Sequence, residues 1–197
     1  MTSIEQTAYP RLKRTLTPKE LDQIYTPTPA EIFLAHRTAK GPVATLGFLI
    51  HLKVFQRLGY AVATSEIPAS IIAYIAACAT IPLSPRDLAG YDDSGTRRRH
   101  LPLIREALDL QPYGPPARKT FLRVMVEAAR TKDDLADLIN VALEELVRCR
   151  FELPAFGTLD RAAHSIKSRF RGLDLDDHQA ALTGHGEDRA DIANGNS

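Results

Sequence analysis

A chain of 197 residues with 44% hydrophobic content is long enough to bury one good core or two small helical subdomains. Its two cysteines, Cys78 and Cys149, each sit in an apolar helical pattern. That excludes a disulfide framework and reads as buried thiols of a reducing compartment. The net charge of +1 hides an asymmetry: residues 171–197 set six acids against Arg171 and Arg189, leaving residues 1–170 mildly basic. Such a balance permits a polyanionic partner without demanding one. The first twenty residues hold no long apolar block, and the longest apolar run, 67–83, is interrupted by Pro68 and Pro82. Neither a secretory signal nor a membrane span is expected, and the expected location is the cytoplasm.

Residues 1–15 read as a basic, mobile arm with Arg11, Lys13 and Arg14. Two readings stand side by side for it, a reach into a DNA groove and a solvated terminus. Thr17-Pro18-Lys19-Glu20 is a helix start: the threonine caps, the proline takes the first helical position and the glutamate closes a capping box. The helix should end near Tyr25. Thr28-Pro29-Ala30-Glu31 repeats the device and opens a helix to about Thr38, with Ile32, Phe33 and Ala35 facing inward. After the Gly41-Pro42 break, Leu46, Leu49, Ile50, Val54 and Leu58 recur at helical spacing and predict the central core helix. His51 on that helix reads as a structural or surface histidine, since no ligand partner lies at helical spacing from it. Gly59-Tyr60 supplies a left-handed stop.

A nearly all-apolar helix follows over 67–81, then a short helix capped by Ser84 and closed by Gly90. The next stretch, Asp92-Asp93-Ser94-Gly95-Thr96-Arg97-Arg98-Arg99-His100, places three arginines just inside a capped helix start. Cations there oppose the helix dipole, while the free N–H groups and the guanidinium groups suit a phosphate backbone. Pairing with Asp92, Asp93 and Glu106 is the competing reading. Pro102 implies either one kinked helix over 95–108 or a helix beginning at Pro102, and the caps before Thr96 favour the former. Leu101, Ile104 and Leu108 then form the buried stripe, and Arg98 and Arg105 share an exposed face. Long helix, short helix, tight connection, basic helix is the order of a helix-turn-helix-like unit.

The turn 111–116 precedes an amphipathic helix over 118–130, with Phe121, Leu122, Met125, Val126 and Ala129 inward and Arg118, Lys119 and Arg123 as a second basic cluster. A helix over 135–147 is its expected antiparallel partner, and a last helix covers 157–170. The fold class is therefore all-α, a multi-helix bundle whose acidic tail over 171–197 reads as disordered, or as a short helix with no docking face. The helical body spans 16–170, with subdomains expected at about 16–60 and 64–170.

No glycine-rich phosphate loop, paired-histidine metal motif or Cys-x-x-Cys occurs, and no local signature gathers serine, histidine and acid residues. His178 and His185 lie in the acidic tail and read as incidental. No catalytic residue, metal or cofactor is expected.

Leu16-Thr17-Pro18-Lys19-Glu20-Leu21, Tyr25-Thr26-Pro27-Thr28 and Leu46-Gly47-Phe48-Leu49-Ile50-His51-Leu52-Lys53, followed by Ile67-Pro68, Tyr74-Ile75-Ala76, Tyr91, Thr96-Arg97-Arg98-Arg99-His100 and Ile104-Arg105, form an ordered set. That set resembles the N-terminal region of Tn-three-type replicative transposases over about residues 10–170. The resemblance implies a helical region that helps recognise the terminal inverted repeats of a transposon in double-stranded DNA. It also implies that the catalytic part lies downstream, so the chain is expected to be a truncated or frameshifted, non-enzymatic piece. The DNA-binding residues expected are Thr96, Arg97, Arg98, Arg99, His100 and Arg105, with backbone contacts from Arg118, Lys119, Arg11, Lys13 and Arg14. The alternative is a protein-interaction or inhibitory fragment that associates with full-length transposase.

Overall fold

The computed structural model describes residues 3–184. Among them there is no β-strand, only a single parallel bridge between Gln111 and Phe151. The chain is all-α: α1 (Pro18–Tyr25), α2 (Pro29–Thr38), α3 (Pro42–Leu58), α4 (Ala69–Cys78), α5 (Gly95–Ala107), α6 (Pro115–Ala128), α7 (Leu135–Arg148) and α8 (Phe156–Gly184). No helix of the described residues is long and apolar enough to cross a membrane.

Two compact units divide the chain, and they interleave in sequence. One comprises residues 9–118 and 146–154; the other holds 3–8, 119–145 and 155–184 of the described residues. No cut falls at 60–64. The reason is a single core cluster that joins Leu46, Phe48, Leu49 and Phe55 of α3 to Ile71 and Ile75 of α4 and Ile104 of α5. A break after α3 would strip the central helix of its partners. The second unit buries Phe121, Met125, Leu138, Ile139, Leu143, Leu159 and Ile166, and Arg123 links α6 to Glu145 of α7 at 3.1 Å.

The local chemistry of the helix starts is realised as written in the sequence. Thr17 and Thr28 each cap their helix, with Glu20 and Glu31 closing the boxes, and Gly59 ends α3 at φ 75°. α5 runs through Pro102 as one helix from Gly95. Four features differ from expectation. Phe33 faces out, at 66% exposure, because Ile32, Leu34 and Ala35 fill the core side of α2. Val126 is likewise exposed, since the buried stripe of α6 follows Phe121, Met125 and Ala129. The arm is held down rather than mobile: Tyr9 is buried and donates its hydroxyl to the Pro154 carbonyl (2.9 Å), while Tyr60 donates to the Pro10 carbonyl (3.0 Å). Finally, α8 continues to Gly184, past the expected end at Phe170. Of the two readings of the tail, residues 171–184 take the helical one, while 185–197, His185 included, lie outside the described residues.

The helix-turn-helix order survives only in outline. Between α4 and α5 lie residues 79–94, which include a 3-10 turn at Pro85–Leu88; a compact helix-turn-helix joins its helices through three or four residues. α5 packs instead on the long helix α3.

The two capping boxes differ in tertiary setting. Glu20 reaches the exposed Lys13 (2.8 Å, 63% exposed), whereas Glu31 reaches Lys53, whose side chain is 9% exposed (3.3 Å), and also accepts from Gln56 (2.6 Å). Burial raises the Glu31 carboxyl pKa, but the Thr28 N–H, Gln56 and Lys53 outweigh it and hold it below the usual value. Glu31→Ala strands a buried ammonium group and should cost about 3 kcal/mol in urea denaturation. Glu20→Ala removes only a cap and an exposed pair, and should shift the urea midpoint much less.

Candidate nucleic-acid interface

A 3.6-residue period along α5 puts positions 97, 100, 101, 104 and 108 on one side. That side faces α3. His100 and Ile104 are buried, and Leu101 and Leu108 pack against the core. Arg97 belongs to the same stripe, so its guanidinium turns inward. Its Nε lies 3.2 Å from Asp92 Oδ1, its Nε–H points to His51 Nε2 (3.3 Å), and its Nη2 donates to the Val62 carbonyl (3.1 Å).

The partners of Arg97 are themselves fixed. Asp92 Oδ2 accepts from the Thr64 N–H at 2.8 Å. His51 Nδ1 lies 2.8 Å from the Gly47 carbonyl; a carbonyl only accepts, so Nδ1 carries the hydrogen and Nε2 is free to accept from Arg97. Desolvation chiefly, and the Arg97 charge, depress the His51 pKa and keep the ring neutral. His100 is also buried, 2.6 Å from the Tyr91 hydroxyl and edge-on to Phe48. Its pKa is lowered by burial first, then by His51 and Arg99. The Tyr91 phenol is pushed up by burial, so it stays a donor. A Cβ at Gly47 would come within 2.5 Å of the Tyr91 ring. Glycine is therefore what lets this ring lie on α3.

The other expected residues fall into four groups. Arg98 and Arg99 are exposed, and neither has a carboxylate partner among the described residues; Arg99 Nη2 donates to Thr96 Oγ1 at 3.2 Å. Ser94 caps the helix beneath them, accepting from the Arg97 N–H (3.1 Å). Arg105 does not share the open face of Arg98: its Nε is 2.8 Å from Glu152, on the segment after α7. Arg11 and Arg14 are exposed on the arm, while Lys13 is engaged by Glu20. Arg118 and Lys119 are exposed on the first turns of α6. Of the segment 96–100, then, the structure leaves Arg98 and Arg99 to solvent and turns Arg97 and His100 inward. The signal for Arg97 was present, three and seven residues before His100 and Ile104. Pairing with Asp92 was the competing reading of the sequence, and it holds for Arg97; the roles of Tyr91 and Val62 were not legible, because they depend on how α5 packs against α3 and the segment after it.

Among the described residues no group of three or more His, Cys, Asp or Glu is placed to hold a metal ion.

Residues 1–166 match the family described as a domain of unknown function, DUF4158. The chain belongs to this family. Among curated proteins, the DUF4158 domain is similar to the transposase for transposon Tn501 of Pseudomonas aeruginosa, with 31% identity over 152 residues. That match covers 76% of this chain and 15% of the relative, so the chain spans a small part of the transposase it resembles. It is a transposase-related domain.

Two outcomes follow from the α5 geometry. Arg97→Ala leaves Asp92, His51 and the Val62 carbonyl short of a partner and should lower stability by about 2 kcal/mol, whereas Arg98→Ala should stay within about 0.5 kcal/mol, both read by chemical denaturation. Second, His51 and His100 are held below their ordinary value of 6.5, so the unfolded chain takes up the protons. Their contribution to stability is complete above that value and declines as pH falls through it. Urea midpoints should therefore drop between pH 7 and pH 5.5, and His100→Gln should flatten that drop.

Proposed function

We propose that this DUF4158 domain is a non-catalytic duplex-DNA-binding module, cytoplasmic, and that it serves recognition of the terminal inverted repeats of a transposon. One observation carries the reading: Arg98 and Arg99 stand in solvent on a helix whose opposite side is locked by Arg97, His100 and Ile104. Anchoring the inner side fixes which way the Arg98 and Arg99 side chains leave the helix, so the backbone needs no reordering when phosphates arrive. Thr96 adds a hydroxyl at the first turn. Arg97 and His100 act as positioning residues, and Arg105, tied to Glu152, holds the far end of α5.

The arm supplies supporting charge. Tyr60 anchors Pro10, and two residues further on Val62 receives Arg97. The arm that carries Arg11 and Arg14 is thus tied at Pro10 to the segment that seats α5. Arg118 and Lys119 offer a separate backbone contact. Similarity to a named transposase is what directs the reading to DNA rather than to another polyanion.

A duplex carrying a transposon end, titrated by fluorescence anisotropy at a series of salt concentrations, tests the proposal. Replacing Arg98 and Arg99 together by alanine should reduce the log–log salt slope by about 1.8, two phosphates at about 0.9 each, with an unchanged melting temperature. An unchanged slope removes α5 from the interface. Light scattering on the same samples reads the second hypothesis: a stable complex with a longer transposase chain and no affinity for DNA favours the interaction-fragment reading.

A further inference from the structure

Helix α2 presents a second face that the α5 reading does not use. Phe33 stands at its centre, 66% exposed, with no ring partner among the described residues. His36 and Arg37 follow three and four residues later, which places them beside the ring on the helix surface. Both are exposed, and so is Lys40, two residues beyond the last helical residue. The helix has one acid, Glu31, and it is turned away to Lys53, Gln56 and the Thr28 N–H. The outer side of α2 therefore shows an aromatic ring and cations with no carboxylate from its own helix among them.

Stability explains only part of this. A cation near a helix C-terminus interacts well with its dipole, which accounts for Arg37. It does not account for the ring, and the core side of α2 is already filled by Ile32, Leu34 and Ala35. An exposed phenylalanine with Arg37 one turn away and Lys40 just past the helix end has the parts of a stacking platform: a π-face for a base and positive charge for the flanking phosphates.

We infer that the α2 face binds single-stranded nucleic acid, with an unpaired base stacked on Phe33 and the adjoining phosphates met by Arg37 and Lys40. Duplex DNA does not suit the ring, because its bases are already stacked on one another. The site is separate from α5 and stands or falls independently of the duplex reading.

The chain contains no tryptophan, so Phe33→Trp installs a sole indole at the proposed contact. The full chain carrying Phe33→Trp is titrated with a 12-nucleotide oligothymidylate, a 12-base-pair duplex and polyglutamate. Saturable quenching by the oligothymidylate is expected, with little from the other two. In anisotropy, Phe33→Ala should weaken oligothymidylate binding about tenfold while leaving the melting temperature and duplex binding unchanged. Arg98→Ala with Arg99→Ala should leave the quenching intact. Absence of quenching, equal quenching by polyglutamate, or wild-type oligothymidylate affinity in Phe33→Ala would each overturn the inference, the second by assigning the face to an acidic polypeptide.

Discussion

The Arg97 guanidinium is the group on which the arrangement of α5 depends. It touches three separate pieces of chain: Asp92 in the turn before the helix, His51 on the central helix and the Val62 carbonyl beyond it. A partly buried cation is tolerated only where its donors are satisfied and an anion is near. Here Asp92 supplies the charge and the other two satisfy the geometry. Rotating α5 by one residue would bring an exposed arginine into this seat and send His100 and Ile104 to solvent. The helix therefore has one permitted azimuth.

That constraint separates three consecutive arginines into two kinds. Arg97 spends its charge inside the fold, where it also opposes protonation of His51. Arg98 and Arg99 keep theirs in water. A run of like charges near a helix N-terminus is unfavourable to the helix itself, and the Ser94 cap together with the Asp92 contact offsets part of that cost. The polar seat and the solvent-facing pair thus belong to one design, in which a buried contact sets the direction of an exposed one. Tyr91 and Gly47 complete it: the missing side chain at 47 lets the Tyr91 ring lie on α3 and reach His100.

The organisation into two interleaved units has a related origin. The first unit takes its closing strip from residues 146–154, distant in sequence: the Leu153 N–H donates to the Gly59 carbonyl, Gln111 bridges Phe151 and Glu152 holds Arg105. Helix α3, buried along most of its length, cannot be covered by the residues that precede it alone. Segments from later in the chain are recruited to it, and subdomains drawn as consecutive blocks miss this.

The all-α class and the capped helix starts and glycine stops were written in the sequence, because capping boxes, N1 prolines and closing glycines act over three or four residues, within reach of a linear reading; α8, which has no such stop at Phe170, ran on. Thr17, Thr28 and Gly59 behave as their neighbours dictate. The stripe on α5 was equally legible, and it carried Arg97 with it. What tertiary structure alone decided was the partner of each polar group and the side each ambiguous apolar residue took. Two capping boxes of the same Thr-Pro-x-Glu form ended against an exposed lysine and a buried one; Phe33 went outward because the core beneath α2 was already full; His51 found its donor 46 residues away. These outcomes depend on packing between elements far apart in the chain, and local periodicity carries no record of which elements will meet.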